Sequence, residues 1–150
     1  MHEIEIYTDG SCHTQQCVGA WVAILLADNK KTVLSGSETG TTHNRMELIA
    51  VIRALEYVKT NYKKVSSVTV VSDSQYVVGL NARKEKLLKQ DFNTKAGKEI
   101  RNADLVKEFF LLSTNVLFMK IKAHQKKTSA INYNIEADVL VRKIMRELVV

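Results

Sequence analysis

The chain has 150 residues and a formal net charge of +6, with 45% hydrophobic and 25% charged residues. This length suits one domain that can bury a proper core, and the composition is ordinary for a globular protein. The basic balance favours a polyanionic partner such as nucleic acid, although many unrelated proteins share it. The longest apolar run, Val18–Ala27, is too short to span a bilayer.

Cys12 and Cys17 are the only cysteines, which is too few for a cysteine zinc site or a disulfide framework. We interpret them as free thiols in a reducing compartment. No basic segment followed by an apolar one opens the sequence, as it would in an export signal. We therefore expect a cytoplasmic protein that does not enter a membrane. No feature indicates a protein partner, so we expect a monomer.

The first half of the sequence predicts strands, a helix and a further strand. Three strand-like runs come first, and the third alternates like a half-exposed hairpin partner: Glu3–Thr8, Val18–Ala27 and Thr32–Glu38. Asn44–Lys59 has helical spacing, with one apolar stripe formed by Leu48, Val51, Ile52, Leu55 and Val58. The β-branched run Ser67–Ser72 predicts a strand buried on both faces.

The second half alternates between helices and strands. A short helix is predicted from about Ser74, and Arg83–Arg101 is charged and irregular. Asp104–Leu112 predicts a helix, Val116–Ala123 a strand and Ile135–Leu148 a closing amphipathic helix. Three strands followed by this alternation predict an α/β fold, a mixed sheet with helices on its faces. No linker divides the sequence, so residues 1–150 are expected to form a single domain.

Four acidic residues lie where strands end or helices begin. Asp9 and Asp73 end predicted strands, Glu47 lies in the first turn of the first long helix, and Asp138 lies near the start of the last helix. In an open α/β sheet such positions commonly meet at one rim, where ligands bind. Four carboxylates there would repel one another unless a cation lay among them. Oxygen ligands without a cysteine or histidine cluster favour Mg²⁺ or Mn²⁺ over zinc.

Each acid also has a purely structural explanation. Asp9 could be a turn residue, and Asn44 could cap the helix in a capping box with Glu47. Asp73 could cap the next helix, and Asp138 could interact favourably with a helix dipole. These explanations do not account for acids beside otherwise apolar strands, or for the inward position predicted for Glu47.

Five features of the sequence follow one another in a characteristic order: Tyr7–Cys12 (YTDGSC), Asn44–Leu48 (NRMEL), Ser72–Val77 (SDSQYV), His124 and Glu136–Lys143 (EADVLVRK). Together they resemble the successive motifs of type I ribonuclease H, over nearly the whole chain. The resemblance implies a ribonuclease H-like fold, a five-stranded mixed sheet with strands one to three antiparallel, flanked by helices. It also implies cleavage of the RNA strand of RNA–DNA hybrids with two divalent ions, leaving 5′-phosphate and 3′-hydroxyl ends.

The resemblance assigns roles position by position. Asp9, Glu47, Asp73 and Asp138 would be the catalytic acids and the ligands of two Mg²⁺ ions, with Mn²⁺ as the alternative. His124 matches a loop histidine that assists proton movement or product release. The implied substrate-binding residues are Cys12, His43, Asn44 and Gln75 near the minor groove, Thr42 and Asn102 at a phosphate of the DNA strand, and Lys84, Lys86 and Lys89 in a basic segment. His43 replaces an asparagine that is common in the family.

Two segments depart from the family pattern. HTQQCVGA, at His13–Ala20, stands in place of a glycine- and proline-rich loop. Arg83–Arg101 has seven basic residues against three acids, but Phe92 is its only aromatic residue where bacterial members carry tryptophans. Binding to the hybrid backbone needs only the charge, whereas base stacking needs the rings. The alternative is a solvated, partly helical face with Leu87 and Leu88 packed inward.

Three other functions fit part of the sequence. A hybrid-binding domain with a weak or inactive site is disfavoured because all four acids are present. A non-enzymatic basic adaptor leaves Glu47 and Asp73 unexplained. A transposase or integrase core is disfavoured, because such a core would normally bring additional DNA-binding domains and this sequence predicts a single domain.

Overall fold

The computed structural model describes residues 2–121 and 132–149. The strands are β1 (His2–His13), β2 (Val18–Ala27), β3 (Lys30–Thr39), β4 (Val65–Ser72) and β5 (Val116–Lys120). The helices are α1 (His43–Asn61), α2 (Gln75–Ala82), α3 (Lys84–Lys89), α4 (Ala103–Leu112) and α5 (Tyr133–Leu148).

All five strands belong to one mixed sheet with the order β3-β2-β1-β4-β5. β1, β2 and β3 are antiparallel neighbours, whereas β4 runs parallel to β1 and β5 runs parallel to β4. The long connection from β3 to β4 contains α1, and the connection from β4 to β5 contains α2, α3 and α4. This is the fold class that the sequence predicted.

Helices cover both faces of the sheet. The main core joins α1, α2 and α4 to the strands, and every member of the predicted apolar stripe of α1 is buried there. A smaller cluster on the other face joins Ala137 and Val141 of α5 to Val22 and Ile24 of β2. The two core clusters therefore place α1 and α5 on opposite sides of β1 and β2.

β1 is longer than the sequence predicted. It pairs with β2 along the whole of that strand, from Ile4 opposite Ala27 to His13 opposite Val18. Asp9 therefore lies inside an antiparallel ladder and not at a strand end, and the turn explanation for it is wrong. The extension could not be predicted from the apolar alternation of β1, because it is the pairing with β2 that continues the strand as far as His13.

Several other boundaries also differ. β4 begins at Val65, two residues before the predicted strand Ser67–Ser72. Within the predicted range Ser67 and Thr69 are half-buried and the other residues are buried, so burial on both faces holds for the end of the strand and not for its start. The segment Arg83–Arg101 contains α3, in which Leu87 is buried but Leu88 is 49% exposed. Neighbouring residues of a helix point in different directions, so only one of these two leucines can face inward. Residues 122 and 123, the end of the predicted fifth strand, lie outside the described residues.

Gly10 allows α1 to approach β1 closely. A Cβ atom at this position would lie 2.6 Å from the Glu47 nitrogen and 2.6 Å from the Met46 carbonyl carbon. Both are backbone atoms, so relief would require the helix to move. The missing side chain at Gly10 therefore sets the distance between β1 and the turn of α1 that carries Glu47.

We predict that Gly10→Ala lowers the free energy of unfolding by about 1–3 kcal/mol, the usual cost of overpacking a close contact. Gly79→Ala in α2 is the matched control, because a Cβ there meets nothing within 4 Å. Alanine is also the better helix former, so Gly79→Ala should be neutral or stabilising by up to about 1 kcal/mol. Urea denaturation of the two variants and the parent measures both effects. Equal stability of the two variants would contradict the close approach.

Candidate active site

Three carboxylates converge at one end of the sheet. Asp9 of β1, Glu47 of α1 and Asp73, which follows β4, bring carboxylate oxygens within 4.8 Å of one another. The parallel pairing of β1 with β4 ends at Tyr7 and Val71. Asp9 and Asp73 each lie two residues beyond that last pair, so the register itself brings them side by side.

Glu47 is almost completely buried, with 1% of its surface exposed. Its Oε1 accepts a hydrogen bond from the Gly10 N–H at 2.8 Å, and Asp9 Oδ1 accepts from the same N–H at 3.0 Å. Its Oε2 finds no donor among the described residues. One backbone N–H thus serves two carboxylates, so the residues that the structure describes compensate their negative charge poorly.

Burial and crowding together raise the pKa values of Glu47 and Asp9. Burial, followed by the negative charges of Asp9 and Asp73, raises the pKa of Glu47 from 4.5 to about 9. Burial and the charges of Asp73 and Asp138 raise the pKa of Asp9 from 3.8 to about 7. At neutral pH the pair therefore retains a proton or requires a cation. The oxygen-only donor set and the unsatisfied Glu47 Oε2 fit a hard divalent ion such as Mg²⁺ or Mn²⁺.

Asp138 reaches the same cleft from the opposite face of the sheet. It lines a cleft of about 490 Å³ together with Asp9, Glu47 and Asp73. It does not belong to the close group of three, and its Oδ2 lies 3.2 Å from Arg142 Nε, one turn further along α5. All four predicted acids therefore line one cleft. Three of them lie close together, and the fourth, Asp138, is paired with the guanidinium of Arg142.

The capping explanations for these acids are wrong. Ser74, and not Asp73, caps α2, because its hydroxyl accepts a hydrogen bond from the Val77 N–H at 3.2 Å. Thr42, and not Asn44, caps α1 by accepting from the Arg45 N–H at 3.2 Å.

The predicted position of Glu47 in the first turn was also wrong. α1 begins at His43, so Glu47 is past the first turn and does not serve the helix end. α5 has its own cap, Asn132, whose side chain accepts from two backbone N–H groups. None of the four acids is thus explained as a cap.

The residues expected near a minor groove are partly gathered at the acids. His43, Asn44 and Gln75 line the cleft, and His43 Nε2 lies 3.7 Å from Glu47 Oε1. Cys12 does not line it. Its Sγ donates a hydrogen bond to the Thr41 carbonyl at 3.4 Å.

Thr42 precedes α1 and Asn102 precedes α4, and Arg45 contacts both residues. The Arg45 backbone N–H donates to Thr42, and its guanidinium donates to Asn102 Oδ1 at 3.3 Å. The same guanidinium makes two hydrogen bonds to the Asp104 carboxylate, at 3.1 and 3.2 Å. Asn102 also donates to the Tyr76 hydroxyl at 3.2 Å. Sequence reasoning missed this role of Arg45, although the residue stands in the NRMEL motif.

The three lysines of the basic segment differ in their surroundings. Lys86 and Lys89 are exposed, whereas Lys84 is half-buried and its Nζ donates to the Phe110 carbonyl at 3.2 Å. Phe92 packs against the ring of Phe110, with centroids 6.0 Å apart, beside the main core. His124 lies outside the described residues.

Comparison with known proteins identifies the family. The family model for RNase H matches residues 1–146. The chain belongs to the RNase H family. It is 39% identical to the Ribonuclease H of Caldicellulosiruptor saccharolyticus over 99% of both chains. It is 37% identical to the Ribonuclease H of Chlorobaculum parvum over 96% of both chains.

A solved structure shares the fold of this RNase H family member. The chain is similar to LC9-RNase H1, described as a type 1 RNase H with the type 2 active-site motif, with a TM-score of 0.78. The sequences are 21% identical, and the match covers 94% of this chain and 71% of that one. Family membership makes the chain an enzyme, a nuclease of the hydrolase class. Among the helices that the structure describes, none is long and apolar enough to cross a membrane.

Proposed function

We propose that this RNase H cleaves the RNA strand of RNA–DNA hybrids at the cleft between β1, α1, β4 and α5. The observation that carries the proposal is the group of three carboxylates within 4.8 Å, in which the buried Glu47 Oε2 has no hydrogen-bond donor among the described residues. A structural role does not explain it, since caps and turns at these positions are supplied by other residues. A site that binds cations next to a polyanionic substrate does explain it.

Asp9, Glu47, Asp73 and Asp138 are proposed to hold two Mg²⁺ ions, with Mn²⁺ as the alternative. Such ions would activate a water for attack on the phosphate and stabilise the departing 3′ oxygen, which leaves 5′-phosphate and 3′-hydroxyl ends. The chain's contribution is to keep the acids in place. Gly10 N–H fixes the Glu47 carboxylate at 2.8 Å, and the core on both sides of the sheet prevents the acids from moving apart.

The polar side chains beside the acids are proposed to read the substrate. His43, Asn44 and Gln75 line the cleft with donors and acceptors that can bond 2′-hydroxyl groups, which distinguish RNA from DNA. We place Cys12 at the edge of this surface.

Further from the acids, Thr42 and Asn102 are proposed to bind a phosphate of the DNA strand at the starts of α1 and α4. Arg45 supports this proposal, because its backbone N–H bonds Thr42 and its guanidinium ties Asn102 to α1. His124 is proposed to assist proton movement or product release. We propose that the protein acts as a monomer in the cytoplasm.

We predict metal-dependent cutting of RNA only within the hybrid. Labelled RNA–DNA hybrid, RNA duplex, DNA duplex and single-stranded RNA are incubated with the protein in Mg²⁺ or EDTA. Only the hybrid in Mg²⁺ should be cut, and Asp73→Asn should lower the rate by orders of magnitude because a ligand is lost. Asp73→Asn should leave folding intact, whereas the capping variant Ser74→Ala should lose about 1 kcal/mol of stability.

Two outcomes would contradict this function. Comparable cutting of single-stranded RNA would exclude recognition of the hybrid. Full activity of Asp73→Asn, or of the parent in EDTA, would exclude the carboxylate metal site.

We propose that Lys86 and Lys89 attract the hybrid backbone, and we predict that replacing both by alanine raises KM more than it lowers kcat. Distant basic residues contribute equally to ground-state and transition-state binding. The salt dependence of binding should become shallower by about one unit of slope per lost phosphate contact. Lys84→Ala is the matched control, because its ammonium is directed to the Phe110 carbonyl. It should leave the salt slope unchanged, and an unchanged slope in the double variant would remove the basic segment from the interface.

A further inference from the structure

The cleft contains one permanent positive charge among the described side chains that line it, namely Arg142. Its Nε lies 3.2 Å from Asp138 Oδ2, one helical turn away. The two side chains are 58% and 34% exposed. An exposed ion pair of this kind contributes little to the stability of the fold. Its position in the cleft is therefore the better indication of what it does.

The packing of α5 fixes this position. Ala137 and Val141, which precede Asp138 and Arg142 in sequence, are 0% and 1% exposed and pack against Val22 of β2. Asp138 and Arg142 are thereby held on the wall of the cleft, and the charge of Asp138 already raises the pKa of Asp9. The guanidinium of Arg142 therefore lies at the edge of the acidic group.

We propose that Arg142 exchanges partners during the reaction. In the cleft without ions it is the counter-charge of Asp138. When Asp138 turns to a bound divalent ion, Arg142 is released and bonds a phosphate oxygen of the hybrid. The inference rests on the proposed function of the cleft.

Two chemical facts support this exchange. A guanidinium and a divalent ion compete for the same carboxylate, because both bind its oxygens directly, the first by hydrogen bonds and the second by coordination. The planar guanidinium also matches phosphate geometry with two parallel hydrogen bonds, which a lysine ammonium cannot reproduce. Loss of Arg142 should therefore have opposite effects, tighter binding of the ion and weaker binding of the substrate.

The test uses the full chain with Arg142→Gln, Arg142→Lys and, as the matched control, Arg146→Gln. Arg146 is exposed one turn further along α5 and does not line the cleft. Mg²⁺ binding without substrate is measured by isothermal titration calorimetry. KM and kcat for the RNA–DNA hybrid are measured at saturating Mg²⁺.

We expect Arg142→Gln to bind Mg²⁺ about threefold more tightly, to raise KM about fivefold and to change kcat by less than about twofold. Arg142→Lys should bind Mg²⁺ like the parent, with an intermediate KM, and Arg146→Gln should match the parent in both assays. Unchanged or weaker Mg²⁺ binding by Arg142→Gln, or an unchanged KM, would overturn the exchange and leave Arg142 as a surface partner of Asp138. A parent chain that does not cut the hybrid would overturn the proposed function, and this inference with it.

Discussion

The mutual repulsion of crowded carboxylates, two of them buried, is the constraint on which the rest of this site depends. Asp9, Glu47 and Asp73 approach within 4.8 Å, and Glu47 is 1% exposed. Water cannot screen these charges well, and the Gly10 N–H is shared between Glu47 and Asp9. A folded chain tolerates this arrangement only with a proton or a cation among the oxygens. The same arrangement makes the cleft suitable for divalent ions next to a phosphate.

The fold makes this repulsion unavoidable. The parallel ladder between β1 and β4 ends at Tyr7 and Val71, and Asp9 and Asp73 each lie two residues beyond that pair. The missing Cβ of Gly10 lets α1 bring Glu47 against β1, and α5 adds Asp138 from the other face. Each acid is supported by an apolar core, so the acids cannot separate without loss of packing. The packing of the core therefore holds the acids close together, although their charges repel one another.

Much of this architecture could be predicted from local sequence. The periodicity of the α1 stripe and of the strand-like runs indicates the type of each element and its buried face, and the motif order indicated which acids meet. Properties set by another element could not be predicted in this way. The true extent of β1 depends on β2, and the caps of α1 and α2 depend on whether Thr42 and Ser74, and not their neighbours, adopt extended backbone.

Side-chain directions at the surface were equally hidden from the sequence. A run of lysines gives no sign that Lys84 donates to the Phe110 carbonyl while Lys86 stays exposed. Likewise, Arg142 follows Asp138 at ordinary helical spacing. Only the placement of α5 beside the other acids makes that pair part of the cleft.

The most direct test of the central claim is the free energy of unfolding from pH 5 to pH 9, in EDTA and in Mg²⁺, for the parent and Glu47→Gln. The pKa of Glu47 is about 9 in the folded protein against 4.5 for the free side chain, so the folded state retains a proton that the unfolded chain releases. The stability of the parent in EDTA should therefore fall as the pH rises through this range, and Mg²⁺ should reduce the fall. Glu47→Gln should show a much flatter profile in EDTA. Parallel profiles of the parent and the variant in EDTA would contradict the account.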